Sequence, residues 1–178
     1  MSKQKKIILS GLLLAILIVF DRFISIKTQY LQVSLSFLPI IVSAIILGPK
    51  YSTTISALGD LIGALLWPFG AYFIGFTIVD ALVGLVYGLF LYTKQEGKFF
   101  EGNNLIIRLC ISSAIVLWGI ELPCMSLMLS LLYGNAFLVI LTGRLVTKII
   151  MFPIQISTIF FLSKYIKILS KKYLYIED

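Results

Sequence analysis

Long apolar runs, separated by short polar or Gly/Pro stretches, account for most of this chain. The first extends from about Ile7 to Ile24 and leads into a semi-polar connection through Lys27, Thr28, Gln29 and Gln32. A second, from about Leu35 to Leu47, is short and stops at Gly48-Pro49. The third runs from about Tyr51 to Trp67 and is closed by Pro68 and Gly70, and the fourth covers about Tyr72 to Tyr92. After the hydrophilic stretch Thr93 to Asn103, a fifth run spans about Asn104 to Leu132, interrupted at Pro123. A sixth extends from about Ala136 to Tyr165, before a polar tail.

Apart from the short second run, the runs are long enough for a bilayer. About 20 apolar residues cross a hydrocarbon layer of roughly 30 Å, so 178 residues hold about six spans with short connections. The predicted fold is all-α, a bundle of six transmembrane helices forming one membrane domain over residues 1–178. The basic start and apolar first run could be read as a secretory signal. The run ends in Asp21-Arg22 without a small-x-small cleavage pattern, however, which predicts a retained first helix.

Composition removes the soluble alternative. Hydrophobic residues make up 60% of the chain and charged residues 13%, with a mean hydropathy of +1.04, against roughly 45 to 50% apolar content in soluble domains. Cys110 and Cys124 lie inside apolar segments without the spacing of a disulfide framework or zinc site, and the chain has no histidine, so no metal site is expected.

The net charge of +7 is a matter of topology rather than of nucleic-acid binding, because the cations gather at the ends of apolar runs. Of the 15 Lys and Arg residues, all except Arg22, Lys27, Arg144 and Lys148 fall on one side of a six-helix arrangement. The positive-inside rule makes that side the cytoplasm, with both termini on it.

Ionisable groups in hydrocarbon are costly and normally face a bundle interior or wet cavity. Asp60, Asp80 and Arg144 each lie about 10 to 12 Å from the outer ends of their helices, and Glu121 and Lys148 about 16 to 18 Å, so all five share one layer in the outer half of the membrane. Arg144 and Lys148, spaced i, i+4, share a helix face and are suited to clamping a carboxylate. The alternative is an internal salt-bridge network with the three acids. Glu121 is expected to share a face with Trp118 and Met125, and Pro123 to free carbonyls near Gly119; a carboxylate beside an indole suits a flat heterocycle with N–H donors. Trp67, Phe69, Tyr72, Phe73 and Phe76 surround the outer connection as belt anchors or as the lining of a site. Gly11 and Ala15 form a small-x-x-x-small pair that lets another helix approach.

No Walker motif, G-x-S-x-G or repeated acidic motif is present, which weakens an enzymatic reading, and the two halves show no inverted repeat. An importer of this size without an ATP site needs partners.

Phe37-Leu38-Pro39, Gly48-Pro49, Asp60-Leu61-Ile62-Gly63 and Tyr72-Phe73-Ile74-Gly75-Phe76-Thr77, all within Phe37 to Tyr92, resemble the folate-type S components of bacterial energy-coupling factor (ECF) transporters. The segment Gly143 to Gln155, with Arg144 and Lys148, is similar to that family's sixth helix. The resemblance implies a subunit of the bacterial cell membrane that binds a vitamin from outside, docks through the Gly11/Ala15 surface, and topples to release its solute. Its partners would be a transmembrane coupling subunit and two cytoplasmic ATPase subunits that hydrolyse the ATP, with no cofactor bound by this chain. The expected site residues are Arg144, Lys148, Glu121, Asp60, Asp80, Arg22, Trp67, Tyr72, Phe76 and Trp118. Two departures bear on the substrate: Asp80 replaces a usually small residue, and Trp118, Glu121 and Pro123 stand where the family usually offers amides. Folate or a related pterin is the expected ligand; another small vitamin or precursor, or a small membrane enzyme or assembly factor, are the alternatives.

Overall fold

The computed structural model describes residues 2–27, 32–68, 70–92 and 104–174. Thr28, Gln29, Phe69, the hydrophilic stretch Thr93 to Asn103 with Lys94 and Lys98, and the last residues of the tail lie outside the described residues. The six expected helices are α1 (Lys3–Arg22), α2 (Phe37–Leu47), α3 (Pro49–Leu66), α4 (Ile74–Leu91), α5 (104–133) and α6 (Phe137–Leu174). The connection after α1 contains a short antiparallel pairing of β1 (Ile26–Lys27) with β2 (Gln32–Val33), Ile26 opposite Val33.

Among the described residues, three helical stretches, Ile74–Leu91, Ile106–Tyr133 and Phe137–Leu162, are long and apolar enough to cross a membrane. The short α2 belongs to the interior: Ile41 and Ala44 are wholly buried and most of its other side chains nearly so. It therefore contributes core rather than lipid-facing surface. Between α2 and α3, Gly48 has φ +87°, a conformation that side chains disfavour. Pro49 then opens α3 at the first helical position, where its missing N–H costs nothing.

Small residues bring α3 against α4. A side chain at Gly84 would begin 2.5 Å from the Ser52 carbonyl oxygen, and one at Gly88 would begin 2.3 Å from the Pro49 Cα. Ser52 Oγ donates across this contact to the Gly84 carbonyl at 2.8 Å. Close approach of this kind is how helices associate where lipid removes the hydrophobic drive. Further along the same face of α3, Gly59 receives Leu17 of α1 and Gly63 receives the Arg22 side chain.

Two corrections concern α5 and α6. Pro123 does not interrupt the fifth helix; the segment Ile115–Met125 widens to π-helix, between the α-helical stretches Asn104–Ala114 and Ser126–Tyr133. The i→i+5 pattern absorbs a residue that cannot donate. The sixth helix continues beyond the expected Tyr165 to Leu174, through the lysine-bearing segment assigned to the tail.

Contacts define the two ends of the bundle. At one, the Tyr92 ring packs on Gly48 and Arg108 donates to the Phe90 carbonyl at 3.5 Å. At the other, Arg22 donates to the Trp67 carbonyl at 3.4 Å and the Tyr133 hydroxyl lies against Gly70.

Candidate ligand-binding site

A cavity of about 230 Å³ opens at the second of these ends and is walled by all six helices. Asp60, Asp80, Glu121, Arg144 and Lys148 all line it, so the structure brings together the five intramembrane charges that sequence spacing put in one layer. Arg22, Tyr72 and Phe76 line it as well.

Near the mouth, Arg22 ends α1 and points across to α3. Its Nη2 donates to the Asp60 carboxylate at 3.4 Å and the Asp60 carbonyl at 3.3 Å, while its Nε lies 3.0 Å from the Asp21 carboxylate. The other Asp60 oxygen accepts from the Thr77 hydroxyl at 2.7 Å. That bond uses the only proton on Thr77, so the Tyr72 hydroxyl, also 2.7 Å from Thr77, must donate to it. One chain of bonds thus ties the outer connection, α4, α3 and α1 together, and Asp60 stands at its centre.

Deeper in the cavity, Lys148 of α6 is 7% exposed and pairs with Glu121 of α5. A buried ammonium requires such a partner, because taking an unpaired charge out of water costs several kcal/mol. Arg144, one turn away, lines the same wall. Both readings of the charges are therefore visible at once: they form ion pairs, and those pairs face an open space.

Trp67 and Trp118 are not among the lining residues. Trp118 is 38% exposed on the outside of α5, and the π segment explains why. A turn with i→i+5 bonding advances each residue by a smaller angle than an α-helix, so side chains four apart, not three, fall into line. The cavity accordingly receives Leu117, Glu121, Met125 and Leu129, and Trp118 turns away from Glu121. Trp67 is 45% exposed; it packs edge-on against Phe23 with ring centroids 5.4 Å apart, and its carbonyl accepts from Arg22. Gly11 and Ala15 are exposed on the face of α1 opposite Leu9, Leu13 and Leu17, beside Ile8, Leu12 and Val19. A side chain at Gly11 would meet nothing within 4 Å.

Sequence reasoning missed Ser56, Tyr87 and Gln155, which line the inner part of the cavity. Polar but uncharged residues in an apolar helix carry no insertion signal strong enough to single them out. Cys110 and Cys124 are free and half-buried. Among the described residues no group of three His, Cys, Asp or Glu side chains is placed to hold a metal ion.

Over residues 1–167 the chain matches the family model of the ECF-type riboflavin transporter, S component. This chain belongs to the ECF transporter S components. The Folate transporter FolT of Clostridium novyi (strain NT) is 31% identical over 160 residues, covering 90% of this chain and 88% of the relative. The Folate transporter FolT of Leuconostoc mesenteroides subsp. mesenteroides is 30% identical over 163 residues, covering 89% and 84%. A crystal structure of FolT bound with folic acid has the same fold, with a TM-score of 0.80 at 32% identity over 90% of this chain and 93% of that one. As an S component the protein is a multi-pass membrane transport subunit, not an enzyme, which removes the alternative of a small membrane enzyme.

Proposed function

We propose that this S component binds folate or a related pterin on behalf of an ECF-type importer in the bacterial cell membrane. The observation that carries this is the gathering of Arg144, Lys148, Glu121, Asp60 and Asp80 on one cavity, in a chain similar over nine-tenths of its length to FolT bound with folic acid. Acids suit the N–H donors of a pterin, and Arg144 and Lys148 suit the carboxylates of a glutamyl tail. The positive-inside rule supports a mouth facing outward and termini facing the cytoplasm, since the cation-rich ends lie away from the mouth.

In this reading the chain catches the solute and others move it. A transmembrane coupling subunit docks on the Gly11/Ala15 face of α1, and two cytoplasmic ATPases hydrolyse ATP, with no cofactor held by this chain. The stripe Ile8, Gly11, Leu12, Ala15 supports the docking role because it is exposed and, at Gly11, an added side chain would meet nothing within 4 Å among the described residues.

The matched family model supports a second reading, with riboflavin as the solute. Calorimetric titration of the detergent-purified protein separates the two. Folic acid at micromolar concentration is expected to bind and raise the melting temperature. A protein that responds to riboflavin and ignores folic acid overturns the folate reading. Coexpression with coupling and ATPase subunits should yield a stable complex.

A further inference from the structure

Among the described residues, four acids and three cations line the cavity: Asp21, Asp60, Asp80 and Glu121 against Arg22, Arg144 and Lys148. With all seven ionised, the wall carries one negative charge in excess. Two of the cations have acids bonded to them. Arg22 serves both Asp21 at 3.0 Å and Asp60 at 3.4 Å, and Lys148 pairs with Glu121. The remaining acid and the remaining cation are Asp80 of α4 and Arg144 of α6. Counted from the mouth ends of their helices, at Ile74 and Phe137, both stand about 9 to 10 Å deep. Arg144 lies in the field of Asp80 as well as of Glu121.

A ligand carboxylate that approaches Arg144 therefore meets a guanidinium whose charge is already answered. It either displaces Asp80 or shares Arg144 with it. In both cases two like charges are held in a confined space, where they repel more strongly than in bulk water. Arginine has donors enough for two acceptors, so Asp80 lowers the affinity for an anion without excluding it. An uncharged heterocycle meets no such opposition.

We infer that Asp80 determines how much negative charge the cavity accepts in a ligand: it competes with ligand carboxylates for Arg144 and so holds back dianionic ligands relative to uncharged ones built on the same heterocycle. The inference rests on the reading of this cavity as the vitamin site, with Arg144 as a carboxylate partner. An Asp80 that instead accepted from the N–H groups of the heterocycle would give the opposite result in the same variants.

The test titrates purified wild type, Asp80→Asn and Asp80→Ser, each alone and combined with Arg144→Ala. The ligands are folic acid and a pterin that lacks the p-aminobenzoyl-glutamate tail. Both Asp80 variants are expected to bind folic acid about ten-fold more tightly than wild type, and the tail-less pterin within about two-fold of it. Their melting temperatures without ligand should not exceed that of wild type, which separates a more receptive site from a firmer fold. With Arg144→Ala present, the gain on folic acid should shrink to about two-fold or less. Unchanged or weaker folic acid binding in both Asp80 variants overturns the inference, and an accompanying loss on the tail-less pterin assigns Asp80 to the heterocycle. A ten-fold gain that survives Arg144→Ala also overturns it. If wild type binds riboflavin but not folic acid, the folate reading falls and the inference is judged on flavin mononucleotide against riboflavin, which differ by a phosphate. Asp80→Asn should then gain on the phosphorylated flavin alone, and an equal change on both overturns the inference. Wild type that binds none of the four compounds overturns both readings.

Discussion

Lys148 and Glu121 meet across the cavity from different helices, the lysine from α6 and the glutamate from the π segment of α5. Removing one member of a buried pair leaves the other charge uncompensated, at about 3 to 5 kcal/mol. Lys148→Met or Glu121→Gln alone is expected to lower stability by about that amount, read from thermal unfolding in detergent. The double variant Lys148→Met, Glu121→Leu should recover most of the loss. If instead the double variant is as unstable as the sum of the single ones, the pair is not what makes these residues compatible with the interior.

Arg144 has a different expected signature. Charge-assisted hydrogen bonds contribute about 1.5 to 3 kcal/mol, so Arg144→Ala should weaken folic acid binding by that much in a calorimetric titration. Unaltered affinity would return Arg144 to the internal ion-pair network and leave ligand carboxylates to other groups.

The α3–α4 contact is predicted to tolerate no added bulk. At Gly88 even a methyl group meets the Pro49 backbone, which cannot rotate aside as a side chain can. Gly88→Ala should therefore cost about 1 to 3 kcal/mol, the usual range for overpacking. Gly134→Ala is not a neutral control despite its open surroundings, because φ there is +70°. Gly119→Ala, with nothing within 4 Å, is the suitable one, and its melting temperature should stay close to wild type.

On the outward face of α1, Gly11→Leu has room within this chain. Ligand affinity in the isolated subunit should be unchanged while uptake by cells carrying the full transporter is lost. Normal uptake would remove the docking role from this face.

The charged layer was legible in the sequence because burying an ionisable group in hydrocarbon is costly, so Asp60, Asp80, Glu121, Arg144 and Lys148 announced themselves. Their gathering also followed from alternating helix directions. What stayed hidden is what depends on pitch and on neighbours. Trp118 was assigned to the face of Glu121 by α-helical spacing, and a wider turn moved it to the outside. Asp60 read as a ligand-facing acid, yet its carboxylate oxygens accept from Thr77 and Arg22. Gln155 and Tyr87 were illegible, because a single amide or phenol in an apolar helix gives no hint of which side chain it will meet.

The π segment gives α5 a place where its length can change. Deletion of a single residue within Ile115–Met125 would let the helix resume α pitch. The larger advance per residue then restores most of the turn that the missing residue takes away, so Leu129 and Tyr133 would keep facing the cavity. A one-residue deletion should therefore be tolerated better here than in the α-helical stretches on either side, where nothing compensates it.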